Sequence, residues 1–386
     1  MSSAREVVGT MKLDEFHLER IQSEWENIVE YNLSESGIEP LRIDELVPHN
    51  AMQKTILETK LGYPQTNGSI PLRRNISALY AGATEKDILV TNGGSEANMV
   101  SIWNMLHEAD DRKDIVIELP NYMQIWGYSR ALGANVKSFW LKKEDNVWVP
   151  DVEGLKHLVS KKTRLIALCN PNNPTGAVMK EDHLKAIADI AEDCGAWILS
   201  DEIYSGAELI DQRTPTMWDY YDNVLVTSGL SKVYALPGLR IGWIACKDEE
   251  KTDELWAYSD YTSIAPSMMG DVLGQIALET EMREFIEKRT RRILKENWSA
   301  MENWLGENEG MFSCIRPEAS PVCLVEYHRD IKSTDLADRL IEEKSVLIAP
   351  GDHFLLPQNI RVGYGHDKKK LVKGLSLIAD FLKKEK

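Results

Sequence analysis

Cysteine is scarce in this chain, and its placement excludes more than its number. The five cysteines, Cys169, Cys194, Cys246, Cys314 and Cys323, are scattered and never spaced C-x-x-C. An odd, dispersed set builds neither a disulfide framework nor a zinc site, so reduced core thiols and no metal are expected. Long apolar runs are missing too. None reaches the roughly 18 residues a membrane helix needs, and the start, Met1-Ser-Ser-Ala-Arg-Glu6, lacks the apolar stretch of a secretory signal. No membrane association and a cytoplasmic location are the expectation. Positive charge is in deficit, with 45 Lys and Arg against 61 Asp and Glu and a formal net charge of -16. Such a balance argues against a nucleic-acid surface, which needs a basic face to meet phosphates. Lysines do gather near the C-terminus, but Leu371, Leu375, Ile378 and Leu382 recur among them at helical spacing. That pattern is an amphipathic last helix. No internal repeat, low-complexity tract or disordered linker is visible.

What is present is a large α/β pattern. Seven short apolar runs occur at 87–91, 114–119, 135–141, 164–169, 196–200, 223–227 and 240–246. Several do not alternate, such as Leu165-Ile-Ala-Leu-Cys169, so both faces of a largely parallel sheet are expected to be covered by helices. Glu181 to Cys194 reads as one of these helices, its inward stripe closed by Gly195. After Pro266 the pattern changes to long helices over roughly 267–305 and two strand-like runs at 322–327 and 346–349. The expected architecture is α/β, with a seven-stranded, mostly parallel sheet between helices in a large domain at 46–280. A smaller α+β domain comprises 281–386 together with 1–45 as an N-terminal arm. Residues 12–30 read as an amphipathic helix that precedes the sheet.

The chemistry is carried by four stretches. Lys232 stands in Ser228-Gly-Leu-Ser-Lys232-Val-Tyr-Ala-Leu-Pro-Gly-Leu-Arg240, just beyond the run Val224-Leu-Val226. A lysine delivered at the end of a buried strand, with small residues before it and an arginine after it, suits a Schiff base to an aldehyde cofactor. Pyridoxal 5'-phosphate (PLP) is such a cofactor, and the guanidinium can fork two hydrogen bonds onto its phosphate. Thr91-Asn-Gly-Gly94-Ser95-Glu-Ala97 follows a strand and opens a helix, where outward backbone amides form an anion seat. The same stretch also reads as a tight turn with Ser95 as cap, or as a degenerate nucleophile elbow with Ser95 as a serine-hydrolase nucleophile. The hydrolase reading needs a late histidine, His353 or His366, and lacks the elbow's final glycine. Asn170-Pro-Asn-Asn173-Pro-Thr-Gly176 forces a rigid turn at a strand end, which leaves amide side chains at the sheet's carboxyl edge. Ser200-Asp201-Glu-Ile-Tyr204 ends the next strand. An aspartate there can hold a pyridine nitrogen protonated or serve as a helix cap, and Tyr204 can reach the neighbouring ring oxygen.

Together these stretches resemble the fold-type I PLP enzymes, specifically the class I/II aminotransferase family of the aspartate aminotransferase superfamily, from about residue 30 to the C-terminus. The resemblance implies the PLP-dependent transferase fold and an aminotransferase that moves an amino group between an L-amino acid and a 2-oxo acid. It implies that Lys232 forms the internal aldimine and moves the substrate proton, that Asp201 pairs with the pyridine nitrogen, and that Asn173 and Tyr204 hydrogen-bond the ring oxygen. It further implies that Tyr122 stacks on the ring and that Gly94, Ser95, Ser231 and Arg240 form the phosphate cup, with Ser231 chosen over Ser228. Arg361, in Asn359-Ile-Arg361-Val-Gly-Tyr364, resembles the arginine that grips the substrate carboxylate, and Gly37 lies where the backbone closes over it. Tyr63, in Gly62-Tyr63-Pro64, resembles the tyrosine that reaches the phosphate of a neighbouring subunit. A homodimer with shared active sites follows.

Some members of the family bind a second carboxylate with an arginine placed after the lysine, but no arginine occurs here between Arg240 and Arg283. A dicarboxylic substrate is disfavoured on that ground. Trp256, Tyr258, Asp260 and Tyr261 fill the stretch instead, with Asp260 as a partner for a cationic side chain or as a solvated surface charge. The opening Asn32-Leu-Ser-Glu-Ser-Gly37 is similar to that of enzymes that remodel arginine derivatives, such as capreomycidine synthase, and keeps open an elimination or cyclisation on an arginine-like amino acid. A regulatory protein that holds PLP without turnover is a third class. No basic or helix-turn-helix segment precedes residue 30 to support it.

Overall fold

The computed structural model describes residues 12–107 and 111–385; residues 1–11 of the expected N-terminal arm, and Lys386 of the C-terminal lysines, lie outside the described residues. Among the described residues the larger sheet has eight strands: β1 (Ile88–Thr91), β2 (Asp114–Leu119), β3 (Asn135–Glu144), β4 (Val147–Pro150), β5 (Thr163–Cys169), β6 (Trp197–Asp201), β7 (Val224–Gly229) and β8 (Gly242–Ala245). Their spatial order is β1-β8-β7-β6-β5-β2-β3-β4. The five strands β3, β2, β5, β6 and β7 run parallel. β8 is antiparallel to both β7 and β1, and β4 folds back against β3. All seven apolar runs are strands. The eighth, β4, ends in Pro150, which reads against a strand until its place at the sheet edge is known, since a proline there forfeits no ladder bond.

The unalternating runs have a direct cause. On β5, Leu165 and Ala167 belong to one buried cluster while Ile166 and Leu168 belong to another, so successive side chains enter cores on opposite faces. Helices such as Gly94–His107 and Glu181–Cys194 provide the covering layers. The second of these ends where the sequence places it. Gly195 takes a left-handed φ of 73° and donates its N–H to the Ala191 carbonyl at 2.8 Å.

Long helices follow at Met268–Leu278 and Thr280–Glu307. A four-stranded antiparallel sheet comes next: β9 (Phe312–Cys314), β10 (Val322–Tyr327), β11 (Ala349–Pro350) and β12 (Asn359–Gly363), in the order β9-β10-β12-β11. The run at 346–349 is divided. Val346–Leu347 pairs in parallel with Tyr31–Asn32, and Ala349 enters β11. That pairing also shortens the N-terminal helix. It spans His17–Trp25 rather than 12–30, because the chain must leave helical geometry to place Tyr31 beside Val346. Among the described residues, no helix is long and apolar enough to cross a membrane.

Parallel strands bring Cys169, Asp201 and Gly229 to one edge of the larger sheet, the carboxyl edge where α/β folds bind ligands. Behind this edge lies Glu118 of β2, which is fully buried. Its Oε2 accepts the Cys169 N–H at 2.9 Å, and Oε1 has no partner among the described residues. Burial pushes its pKa up to about 8. A carboxyl raised in the folded state contributes stability that is complete below its unfolded pKa, about 4.5, and is lost as pH rises through about 8. Glu118→Gln is therefore expected to flatten the loss of stability seen in urea-unfolding midpoints between about pH 5 and pH 9. An unchanged pH slope would show that Glu118 ionises without cost.

Candidate active site

A cavity of about 260 Å³ opens at that edge. Lys232, in the turn after β7, has its Nζ 2.9 Å from the Ser36 hydroxyl and 3.5 Å from Glu35 Oε1. Burial pulls the ammonium pKa down, but Glu35 and Tyr204 outweigh it and leave Lys232 above the usual lysine value. Lys232 in turn draws the Glu35 carboxyl down to about 2 against its own burial.

Asp201 closes β6 on the floor of the cavity. Its Oδ2 accepts the Asn98 amide at 2.9 Å and its Oδ1 the Ile203 N–H at 3.2 Å. Burial raises its pKa, and these two hydrogen bonds oppose the rise. Asn98 is held by the Thr227 hydroxyl, which donates to Oδ1 at 2.7 Å. Tyr204, 1% exposed, accepts from Asn173 Nδ2 at 3.5 Å. Asn173 Oδ1 accepts from Arg361 Nη1 at 3.1 Å, and Arg361 Nη2 donates to the Ser34 carbonyl at 2.6 Å. The guanidinium lies over the Phe354 ring, 5.3 Å from its centroid. Arg361 Nε has no hydrogen-bond partner among the described residues.

The other end of the cavity is built for an anion. Gly93 turns with φ 88° into the Gly94–His107 helix, whose first backbone amides face outward at Gly94 and Ser95. β8 crosses so close to this turn that a Cβ on Gly242 would strike the Gly93–Gly94 backbone. Arg240, itself left-handed at φ 52°, donates to the Ser231 hydroxyl and the Asn92 carbonyl, both at 3.4 Å. Ser231 lines this cavity, whereas Ser228 lines a separate one and donates to the Glu202 carbonyl. Tyr122 is at the rim, with its hydroxyl on Glu19 at 2.7 Å and its ring 5.0 Å from that of Phe16.

Lys232, Asp201, Tyr204, Asn173, Gly94, Ser95, Tyr122, Ser231, Arg240 and Arg361 thus share one cavity. Gly37 is beside it, its absent Cβ 3.7 Å from the Ser231 carbonyl, but its neighbours Glu35 and Ser36 form the lining. Tyr63 is 84% exposed and does not line the cavity of its own chain. Asp260 is exposed and outside the lining, so it is the solvated charge and not the partner of a ligand there. Sequence reasoning missed Asn98, Glu19, Glu26 and Glu35. Asn98 left a signal, since asparagine is a weak helix former and stands one turn beyond the glycine pair.

Comparison with known proteins agrees with this geometry. The family profile "Aminotransferase class I and II" matches residues 40–378. The chain is 30% identical over 351 residues to a probable aspartate aminotransferase of Methanocaldococcus jannaschii, covering 86% of this chain and 88% of that one. It is 26% identical over 317 residues to capreomycidine synthase of Streptomyces vinaceus, covering 82% and 79%. A PLP-dependent aminotransferase from Streptococcus suis superimposes with a TM-score of 0.90 at 33% identity, covering 97% of this chain and 99% of that one. With the profile spanning most of its length and a solved PLP enzyme matching it nearly end to end, the chain belongs to the class I and II aminotransferases, PLP-dependent transferases of fold type I.

Proposed function

We propose that the enzyme transfers the amino group of an L-amino acid to a 2-oxo acid, with PLP carried on Lys232. The observation that carries this reading is one cavity that unites an amine, a buried carboxylate, a paired amide and phenol, and a buried arginine with an open Nε. The donor set fits the cofactor group by group. Lys232 suits its aldehyde, Asp201 its pyridine nitrogen, and Asn173 with Tyr204 its ring oxygen. Tyr122 suits the ring face, and the Gly94–Ser95 amides with Ser231 and Arg240 suit the phosphate. When bound, the cofactor supplies an attachment point for the substrate nitrogen and an electron-poor ring that draws electrons from the substrate α-carbon.

The chain's own groups do the rest. Asp201 is a carboxylate made costly by burial, and a protonated pyridine nitrogen held beside it would add to the favourable charge of Lys232. Arg361 orients the substrate by a forked grip on its carboxylate, using donors that a lysine cannot reproduce. Lys232, within reach of Ser36, moves the proton at the substrate α-carbon. Among the described residues no histidine lines the cavity, so Ser95 has no imidazole partner there for hydrolase chemistry. Elimination or cyclisation would share these first steps and differ in products, which mass spectrometry separates.

A homodimer is part of this proposal, as is a cytoplasmic location. Tyr63, Leu57 and Leu61 are 84%, 86% and 81% exposed, a set of large apolar side chains left open on the single chain. Sedimentation of the purified protein is expected to give twice the 43.8 kDa chain mass. A monomer at micromolar concentration would remove the shared-site role of Tyr63.

Borohydride treatment of the PLP-loaded enzyme is expected to fix the cofactor on the peptide that contains Lys232. Lys232→Ala should abolish fixation while PLP still binds reversibly through the phosphate contacts, and fixation that persists would refute the assignment. Arg361→Lys is expected to weaken amino-acid binding by roughly 10- to 100-fold, the equivalent of one hydrogen bond between charged groups. The bound-cofactor spectrum should not change. Unaltered affinity would take the carboxylate grip away from Arg361.

A further inference from the structure

The rim of the cavity is acidic. Glu19 and Glu26 come from the His17–Trp25 helix and its C-terminal cap, and Glu35 from the segment after it. Glu19, Gln22 and Glu26 are spaced i, i+3, i+7 and lie on one helical stripe, and all three line the cavity. Gln22, buried, donates to the Ser34 carbonyl at 3.0 Å and the Ser34 hydroxyl at 3.1 Å. The stripe is thereby tied to the same residue whose carbonyl receives Arg361.

The cavity's three cations already have work. Arg240 faces the anion seat, Arg361 carries an unpartnered Nε suited to a carboxylate, and Lys232 would anchor the cofactor and, once replaced by the substrate amine, move the α-carbon proton. Neither as the cofactor's anchor nor as a neutral base would that amine be the ammonium that stands 3.5 Å from Glu35 in the free chain. Among the described residues, nothing else in the lining is basic. Glu26 already registers the crowding, since burial and the nearby Glu35 and Glu19 push its pKa up. The negative surface continues outward. A neighbouring cleft shares Glu26 and Glu35 and adds Glu30, Glu39 and Asp367, against Lys370 and His366.

Arg361 would take the carboxylate, and the α-nitrogen would replace Lys232 at the cofactor, so the substrate side chain is the part left to meet the rim. We infer that the site selects amino acids with a cationic side chain, a guanidinium or an alkylammonium, and that Glu19 and Glu26 are the residues that set this specificity. The inference rests on the aminotransferase reading above.

The test uses the PLP-loaded enzyme. The half-reaction, followed by cofactor absorbance, is run with arginine and lysine and with their uncharged counterparts citrulline and norleucine. The charged members are expected to react with kcat/KM at least roughly tenfold higher. The advantage should shrink as salt rises from about 50 to 500 mM, because a partly exposed charge pair is screened. Glu19→Gln and Glu26→Gln should each narrow the ratio of cationic to neutral substrate about threefold or more. A second readout needs no turnover. Calorimetric titration with 5-guanidinopentanoate, which keeps the carboxylate and the cation but lacks the amine, is expected to show tighter binding than hexanoate, and Glu26→Gln should lessen the difference. Equal binding of the two acids, or a substrate ratio at or below one, overturns the inference. Failure of every amino acid to react, with the guanidino acid still preferred, would instead count against the aminotransferase reading and leave the cation site standing.

Discussion

A guanidinium at 1% exposure must be answered by acceptors, and Arg361 draws them from two distant stretches of chain. The Ser34 carbonyl lies after the N-terminal helix, and Asn173 lies in the loop beyond β5. An unanswered buried charge costs several kcal/mol, so these contacts hold β12, the N-terminal segment and the larger sheet in one relative placement. The cavity exists where the three meet. Arg361 lines it with its Nε unpartnered among the described residues, so the group that joins the three regions is also the one proposed to hold a substrate.

Around that junction the charges are sorted by depth. The floor holds Asp201, Lys232 and Arg361, the anion seat holds Arg240, and the rim holds glutamates. Low exposure strengthens each interaction within the cavity and makes any unpaired member expensive. Lys232 and Glu35 illustrate the balance: each stabilises the charged form of the other against burial. The backbone contributes as well. The Gly93 turn aims a helix N-terminus into the cavity, and Gly242 permits β8 to cross it at a distance no side chain would tolerate.

Much of this was legible before the fold was known. Strands with two covered faces carry unalternating apolar runs, and β5 to β7 do, at Leu165–Cys169, Trp197–Leu199 and Val224–Val226. Residues bound to a strand end by local chemistry were also legible, including Asp201, the asparagine-proline turn, and Lys232 with Arg240. The failures share one cause. Glu19 and Glu26, some two hundred residues away from the lysine, line the rim, and no local stretch places them there. The stripe of the His17–Trp25 helix reads as plain amphipathicity until the surface it faces is known. Asn98 was hidden for the same reason, since its partner Asp201 is 103 residues away.

The sequence by itself determined the α/β class, the succession of strands, the helix stop at Gly195 and the placing of Lys232, Asp201 and the asparagine-proline turn at strand ends, because each depends on neighbours within a few residues or on a repeating period; the remaining cofactor groups were implied by the family resemblance. Only the tertiary structure decided which of those groups meet. It held Asp201 against Asn98, tied Arg361 to Ser34 and Asn173, and laid the stripe of Glu19 and Glu26 along the rim. Such choices rest on long-range packing and on the need of buried charges for partners, and neither is written in any local stretch of the chain.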